Sequence, residues 1–275
     1  MAYARRVTEL PSPPTARTPT LECERGLWEA GHPVVVGVDE VGWGAWAGPV
    51  SVGAAVVPTN RLIPERLQDS KTLKKERQRE ALFERVRKWC THWVVGHATH
   101  AECDEMGLSE ARSLAARRAL DALGVERGPY ILVDGKTDFV GSDRYETECL
   151  PKGDAFSVSI SAAAILAKVV RDRIMRDLSV EFPGYDFESN KGYHSRGHEA
   201  ALLARGPSGI HRGSVKVRVT LKDLAKIGYL RHVRSEPVDA PSSTADYSRL
   251  SQWVDPDGVT RPPTIRQANL RYGKR

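Results

Sequence analysis

Cysteine is scarce in this chain, and the four present in 275 residues (Cys23, Cys90, Cys103 and Cys149) are scattered, with no pair at CxxC spacing. That spacing speaks against a zinc site, and free thiols in a reducing cytoplasm are the expectation. Long apolar runs are missing as well. No stretch approaches the roughly 20 residues of a membrane span. The N-terminal MAYARRVTELPSPP has no apolar segment behind its arginines, so it does not read as a signal peptide. No internal repeat is visible. What remains is ordinary, with 40% hydrophobic and 28% charged residues, which excludes a fibre, a membrane protein or a chain disordered throughout.

Charge is unbalanced: 41 Lys and Arg face 35 Asp and Glu, a formal net charge of +6. Residues 189–234 hold ten basic residues against Glu199 and Asp223, and residues 71–88 hold eight against Glu76, Glu80 and Glu84. Positive charge gathered in blocks suits a surface that tracks phosphates, although the 71–88 block alone also reads as a solvated helix face.

Residues 1–20 are rich in Pro and Thr and read as a flexible arm. Leu21 to Ala30 reads as a short helix. PVVVGVDEV is a β-branched run of the kind found in strands buried on both faces. After GWGAWAGP, Val50–Val57 reads as a second strand closing a hairpin. Residues 73–89 are helical by periodicity and His92–Ala98 is a third strand. Residues 109–123 form an amphipathic helix capped by Ser109 and ended by Gly124. YILVDG is a short strand, 154–178 the longest helix and 195–204 a shorter one. This order gives an α/β or mixed sheet with helices packed on it. A catalytic region of 21–234 is the expectation, with 235–275 a mostly disordered basic tail.

Acids stand where a fold would not choose them. Asp39 and Glu40 end an apolar strand, where an unpartnered carboxylate costs several kcal/mol. Alternation starts them on opposite faces, and the VGWG bend lets both serve one site. Asp134 ends YILVDG and reads either as a turn residue or as a ligand. Asp172 projects from the long helix on a face shared with Lys168, and a surface ion pair with Lys168 or Arg173 competes with a ligand role. Four oxygen donors without His or Cys suit Mg²⁺ or Mn²⁺. Two such ions can activate a water and stabilise the leaving oxygen in phosphodiester cleavage.

From 34 to 217 the chain closely resembles ribonuclease HII. The resemblance is carried by VVVGVDEVGWGAWAGPV, DSKTL at 69–73, VDG at 133–135, GDAFSVSISAAAILAKVVRDR at 153–173 and PGYDFESNKGYHSRGHEAALLARGPSGIHRGS at 183–214, in the family's order. It implies a ribonuclease H-like mixed five-stranded sheet flanked by helices, with a small helical C-terminal part. It implies Asp39, Glu40, Asp134 and Asp172 as metal-binding acids, Mg²⁺ or Mn²⁺ dependence, and a role in DNA replication and repair. The substrates implied are RNA–DNA hybrids and duplex DNA with embedded ribonucleotides, cut on the 5′ side of the ribonucleotide to leave 3′-hydroxyl and 5′-phosphate ends. By the same resemblance the backbone of Gly42–Trp43–Gly44 senses the 2′-hydroxyl, the group that tells RNA from DNA. Tyr193 stacks on the following sugar, and Lys71, Lys168, His211, Arg212 and Ser214 contact phosphate or support the site.

Trp43 departs from the family, which usually has Arg or Lys between those glycines. Loss of a phosphate-facing cation there weakens binding by about 1–3 kcal/mol unless compensated, although Trp can stack on a sugar or base instead. Ala45 and Gly213 are smaller departures. In the tail, Gln267, Leu270 and Tyr272 have the spacing of peptides that dock on sliding clamps. A cytoplasmic monomer is the expectation. The rivals are another DNA nuclease on this fold and a hybrid-binding protein without catalysis.

Overall fold

A computed structural model describes residues 18–67, 73, 75–125, 128–141 and 143–213. Lys71, Ser214, the clamp-like Gln267, Leu270 and Tyr272, and the whole 235–275 tail lie outside them. The described strands are β1 (Val35–Val41), β2 (Val50–Val56), β3 (His92–Ala98), β4 (Tyr130–Asp134) and β5 (Glu146–Leu150). The helices are α1 (Glu22–Glu29), α2 (Glu76–Trp89), α3 (His100–Met106), α4 (Leu108–Leu123), α5 (Val158–Glu181), α6 (Phe187–Asn190) and α7 (Arg196–Arg205). Among the described residues no helix is long and apolar enough to cross a membrane.

The strands form one mixed sheet in the order β3-β2-β1-β4-β5. β1–β2 and β2–β3 are antiparallel, while β1–β4 and β4–β5 are parallel. β1 is central and buried on both faces, which explains its unbroken valines. Val36 and Val38 pack with the alanines of α4 on one side. On the other side Val35 packs with Leu132, Ile160 and α1, and α5 and α2 cover the rest of the sheet. Gly37 is what lets α5 come so near β1: a Cβ there would stand 2.1 Å from the Ser159 carbonyl carbon.

Helix ends show where local chemistry won. α5 begins later than the expected 154, because Gly153–Ala155 forms a 3₁₀ turn and Ser157 caps the helix by accepting from the Ile160 amide at 3.3 Å. The buried Glu24 of α1 reinforces that start. Its Oε1 accepts from Ser157 Oγ at 2.7 Å, the Ser159 amide at 2.8 Å and Ser159 Oγ at 2.6 Å. A carboxylate there also complements the helix dipole. Ser109 does not cap α4. The helix starts at Leu108 behind Gly107, whose φ of +83° turns the chain out of α3. Gly124 ends α4 in the left-handed conformation, as its sequence position predicts.

Candidate active site

Parity along the strands decides which acids meet. β1 pairs in parallel with β4 through Gly37–Leu132 and Val38–Val133. One residue further, Asp39 and Asp134 therefore leave neighbouring strand ends on the same face. Glu40 points to the opposite, α4 side, where Arg112 Nη1 lies 3.8 Å from its Oε2. The 3₁₀ turn before α5 brings in a fourth acid, Asp154, whose amide reaches Asp134 Oδ1 at 3.4 Å.

The electrostatics report the crowding. Burial, then the charges of Asp134, Glu40 and Asp154, push the Asp39 carboxyl well above its usual range. The Glu40 amide, donating to Asp39 Oδ1 at 2.7 Å, opposes this only in part. Glu40 is also raised, by burial and then Asp134, with Arg112 pulling the other way. Four carboxylates cannot all ionise at such quarters without a cation. An all-oxygen, His- and Cys-free donor set fits a hard divalent ion such as Mg²⁺ or Mn²⁺. Among the described residues no three such side chains stand close enough together to hold an ion as they are.

Asp172, expected as the fourth acid of this group, has other partners in the structure. It is not among the charges that act on Asp39. Its Oδ1 accepts from Lys168 Nζ at 2.6 Å and its Oδ2 lies 4.0 Å from Arg79 Nη2. With Arg79, Lys168, Lys191 and Tyr193 it lines a separate polar pocket of about 420 Å³. The reason is helical reach: Asp172 lies 14 residues, or about 21 Å of helix rise, beyond Val158, where α5 leaves the turn that carries Asp154. Asp154, which the structure brings beside Asp134 and the sequence reading did not single out, is the Asp of GDA, directly after the glycine that opens the long-helix segment.

Around the acids the chain braces a loop. Gly42 has φ +88°, and a Cβ there would meet Arg171 Nε at 2.2 Å, so only glycine fits. The buried Arg171 donates to the carbonyls of Pro49 at 2.9 Å, Lys191 at 2.9 Å and Ala47 at 3.2 Å. The Gly42 amide donates to the Tyr193 hydroxyl at 2.9 Å, so loop and tyrosine adjoin. Lys168 lies 5.9 Å from the Tyr193 ring centre. Arg212 is buried and donates to Gly48 O at 3.0 Å and Trp43 O at 3.2 Å. His211 is engaged on both ring nitrogens, with the Ser208 amide at 2.8 Å and His198 Nε2 at 2.9 Å. Both residues therefore support the loop from within. Trp43 is half-exposed beneath the Arg112 guanidinium, 4.3 Å from the ring centre.

Comparison with known proteins bears on the family and the fold. A family model described as Ribonuclease HII matches residues 36–219. Ribonuclease HII of Streptomyces avermitilis is 44% identical over 218 residues, spanning 79% of this chain and 91% of the relative. That of Caulobacter vibrioides is 43% identical over 201 residues, spanning 73% and 93%. Among solved structures, the RNase HII of the PCNA:RNase HII complex from Archaeoglobus fulgidus superposes with a TM-score of 0.51 at 26% identity, over 69% of this chain and 99% of that one. The ribonuclease H2 from Pyrococcus horikoshii gives 0.50 at 26% identity, over 62% and 85%.

Proposed function

Since this chain belongs to the ribonuclease HII family and is an endoribonuclease of the ribonuclease H type, we propose that Asp39, Glu40, Asp134 and Asp154 form its metal-binding catalytic centre. The observation that carries this is the parallel register of β1 and β4, which sets Asp39 and Asp134 on one face, with the Asp154 amide 3.4 Å from Asp134 Oδ1. Bound there, divalent cations supply an activated water and neutralise the charge that develops on the leaving oxygen. The substrate is an RNA–DNA hybrid or a duplex with an embedded ribonucleotide, cut on the 5′ side of the ribonucleotide.

The chain's own groups do the positioning. Asp39 and Asp134 share one face and span the centre of the site, and Glu40 closes it from the α4 side. The 3₁₀ turn fixes Asp154 against Asp134. The Gly42 amide faces the sugar, and Tyr193 packs beside it. Lys168 and Arg79 put positive charge in the neighbouring pocket, along the course of a phosphate backbone. No side chain becomes covalently modified.

The deciding experiment is cleavage of a duplex with one embedded ribonucleotide, in Mg²⁺ and in Mn²⁺, with product ends mapped. A single cut 5′ of the ribonucleotide, leaving 3′-hydroxyl and 5′-phosphate, is the expected result. Equal cutting of an all-DNA duplex would refute the substrate assignment.

Sliding-clamp docking belongs to the same proposal. The Archaeoglobus fulgidus relative forms a complex with PCNA, and Gln267, Leu270 and Tyr272 have docking-peptide spacing. A chain ending at 264 should lose clamp binding and keep its cleavage. We place the enzyme in the cytoplasm as a monomer.

A further inference from the structure

We infer that Arg112 of α4 supplies the phosphate-facing positive charge beside the Gly42–Trp43–Gly44 loop, in place of a basic residue within the loop itself. This rests on the proposed substrate. Trp43 occupies the position where a cation would meet phosphate, yet a cation is present within contact distance of its ring. The Arg112 guanidinium is clamped between two aromatic faces, 4.3 Å from the Trp43 ring centre and 4.4 Å from that of Phe139. Stacking of this kind fixes the plane of a guanidinium while leaving its edge free to donate.

Its donors are underused. Nε is buried without a hydrogen-bond partner. The 3.8 Å contact with Glu40 is an ion pair too long for a hydrogen bond. Arg112 is held beside Glu40 and against the exposed ring of Trp43, with its side chain 16% exposed. A phosphodiester offers two acceptor oxygens that match a guanidinium edge. Trp43 thus acts through Arg112: the indole aims the charge that its own side chain lacks.

The test uses the full-length enzyme in Mg²⁺ on the duplex with one ribonucleotide, with KM and kcat followed across a potassium chloride series. Arg112→Gln keeps a planar polar end on a shorter stem and loses the charge. Should it melt early, Arg112→Met keeps the stem between the rings and takes its place. KM should rise roughly tenfold or more, the fold-change of one lost charge-assisted hydrogen bond, with kcat changed far less. The logarithmic salt dependence should flatten by about 0.9, one phosphate contact. Trp43→Arg in the Arg112→Gln background should restore both.

Unchanged KM and salt slope in a folded Arg112→Gln enzyme would overturn the inference, as would failure of Trp43→Arg to restore a raised KM. A wild-type enzyme that does not cut this duplex would instead sink the substrate reading, and this inference with it.

Discussion

At Asp39 the cost of gathering acids is concentrated. Its folded pKa is raised, so between the ordinary carboxylate range and that higher value the folded chain binds more protons than the unfolded one. Its contribution to metal-free stability therefore falls as pH rises through that interval, and is greatest below it. Asp39→Asn should remove this dependence and raise the metal-free melting temperature at neutral pH. It should also abolish metal-dependent cleavage, by about 100-fold or more. Calorimetry beside a cleavage assay checks both, and a mutant with substantial activity would rule the centre out. Asp154→Asn and Asp172→Asn separate the two candidate acids. The first should lower kcat by about 100-fold. The second should act mainly on KM, by freeing Lys168 from its 2.6 Å partner. Of the four acids proposed for the centre, Asp39, Glu40 and Asp134 stand out in the sequence as costly carboxylates at strand ends. Asp154 does not, because apolar periodicity carries the long helix back to 154 and hides the turn before α5. The same periodicity makes Asp172 conspicuous on its helix face, where Lys168 and Arg79 pair with it.

Among the elements, α5 determines how the acids meet, because it positions the preceding turn against β1 and β4. Gly37→Ala would drive a methyl into the Ser159 backbone, which has no flexible tip to yield. It should cost about 1–3 kcal/mol or more in a urea titration, and lower cleavage by moving Asp154 away from Asp39. Strands β1 to β4 announced themselves, with β3 matching its sequence limits of His92 and Ala98. β5 did not. ETECL alternates acids with small and apolar residues at the sheet edge, and too little of it is buried to leave a hydrophobic signature. The resemblance, not the residues, supplied the fifth strand. Helix α3 was missed for a different reason. Its stability begins with a capping box, in which Thr99 Oγ1 accepts from the Glu102 amide at 3.1 Å and Glu102 answers at 2.8 Å, and its apolar face is too short to read.

Across the molecule, the segment after α5 is tied to the loop after β1 through histidines. The Ser208 amide donates to His211, His211 meets His198 at 2.9 Å, and His198 Nδ1 meets the Tyr193 carbonyl at 2.9 Å. Burial, then the charge of His198, lowers His211 to about 4. The unfolded histidine titrates at about 6.5, so between these values the unfolded chain binds more protons. The histidine's contribution to stability rises with pH through that window and is lost as pH falls through it. In an Asp39→Asn background, which lacks the opposing carboxyl, the urea midpoint should drop between pH 7 and pH 5, and adding His211→Gln should flatten the drop. The same tyrosine that ends this chain of contacts also holds the Gly42 amide with its hydroxyl, 2.9 Å away. On the proposed substrate, a ribose 2′-hydroxyl at that amide would replace the tyrosine hydroxyl as its acceptor, an exchange close to neutral. A deoxyribose has no such group, so displacing the tyrosine for it would leave a buried donor unpaired, at about 1–3 kcal/mol. The resting contact would then discriminate between sugars by what it takes to give that contact up.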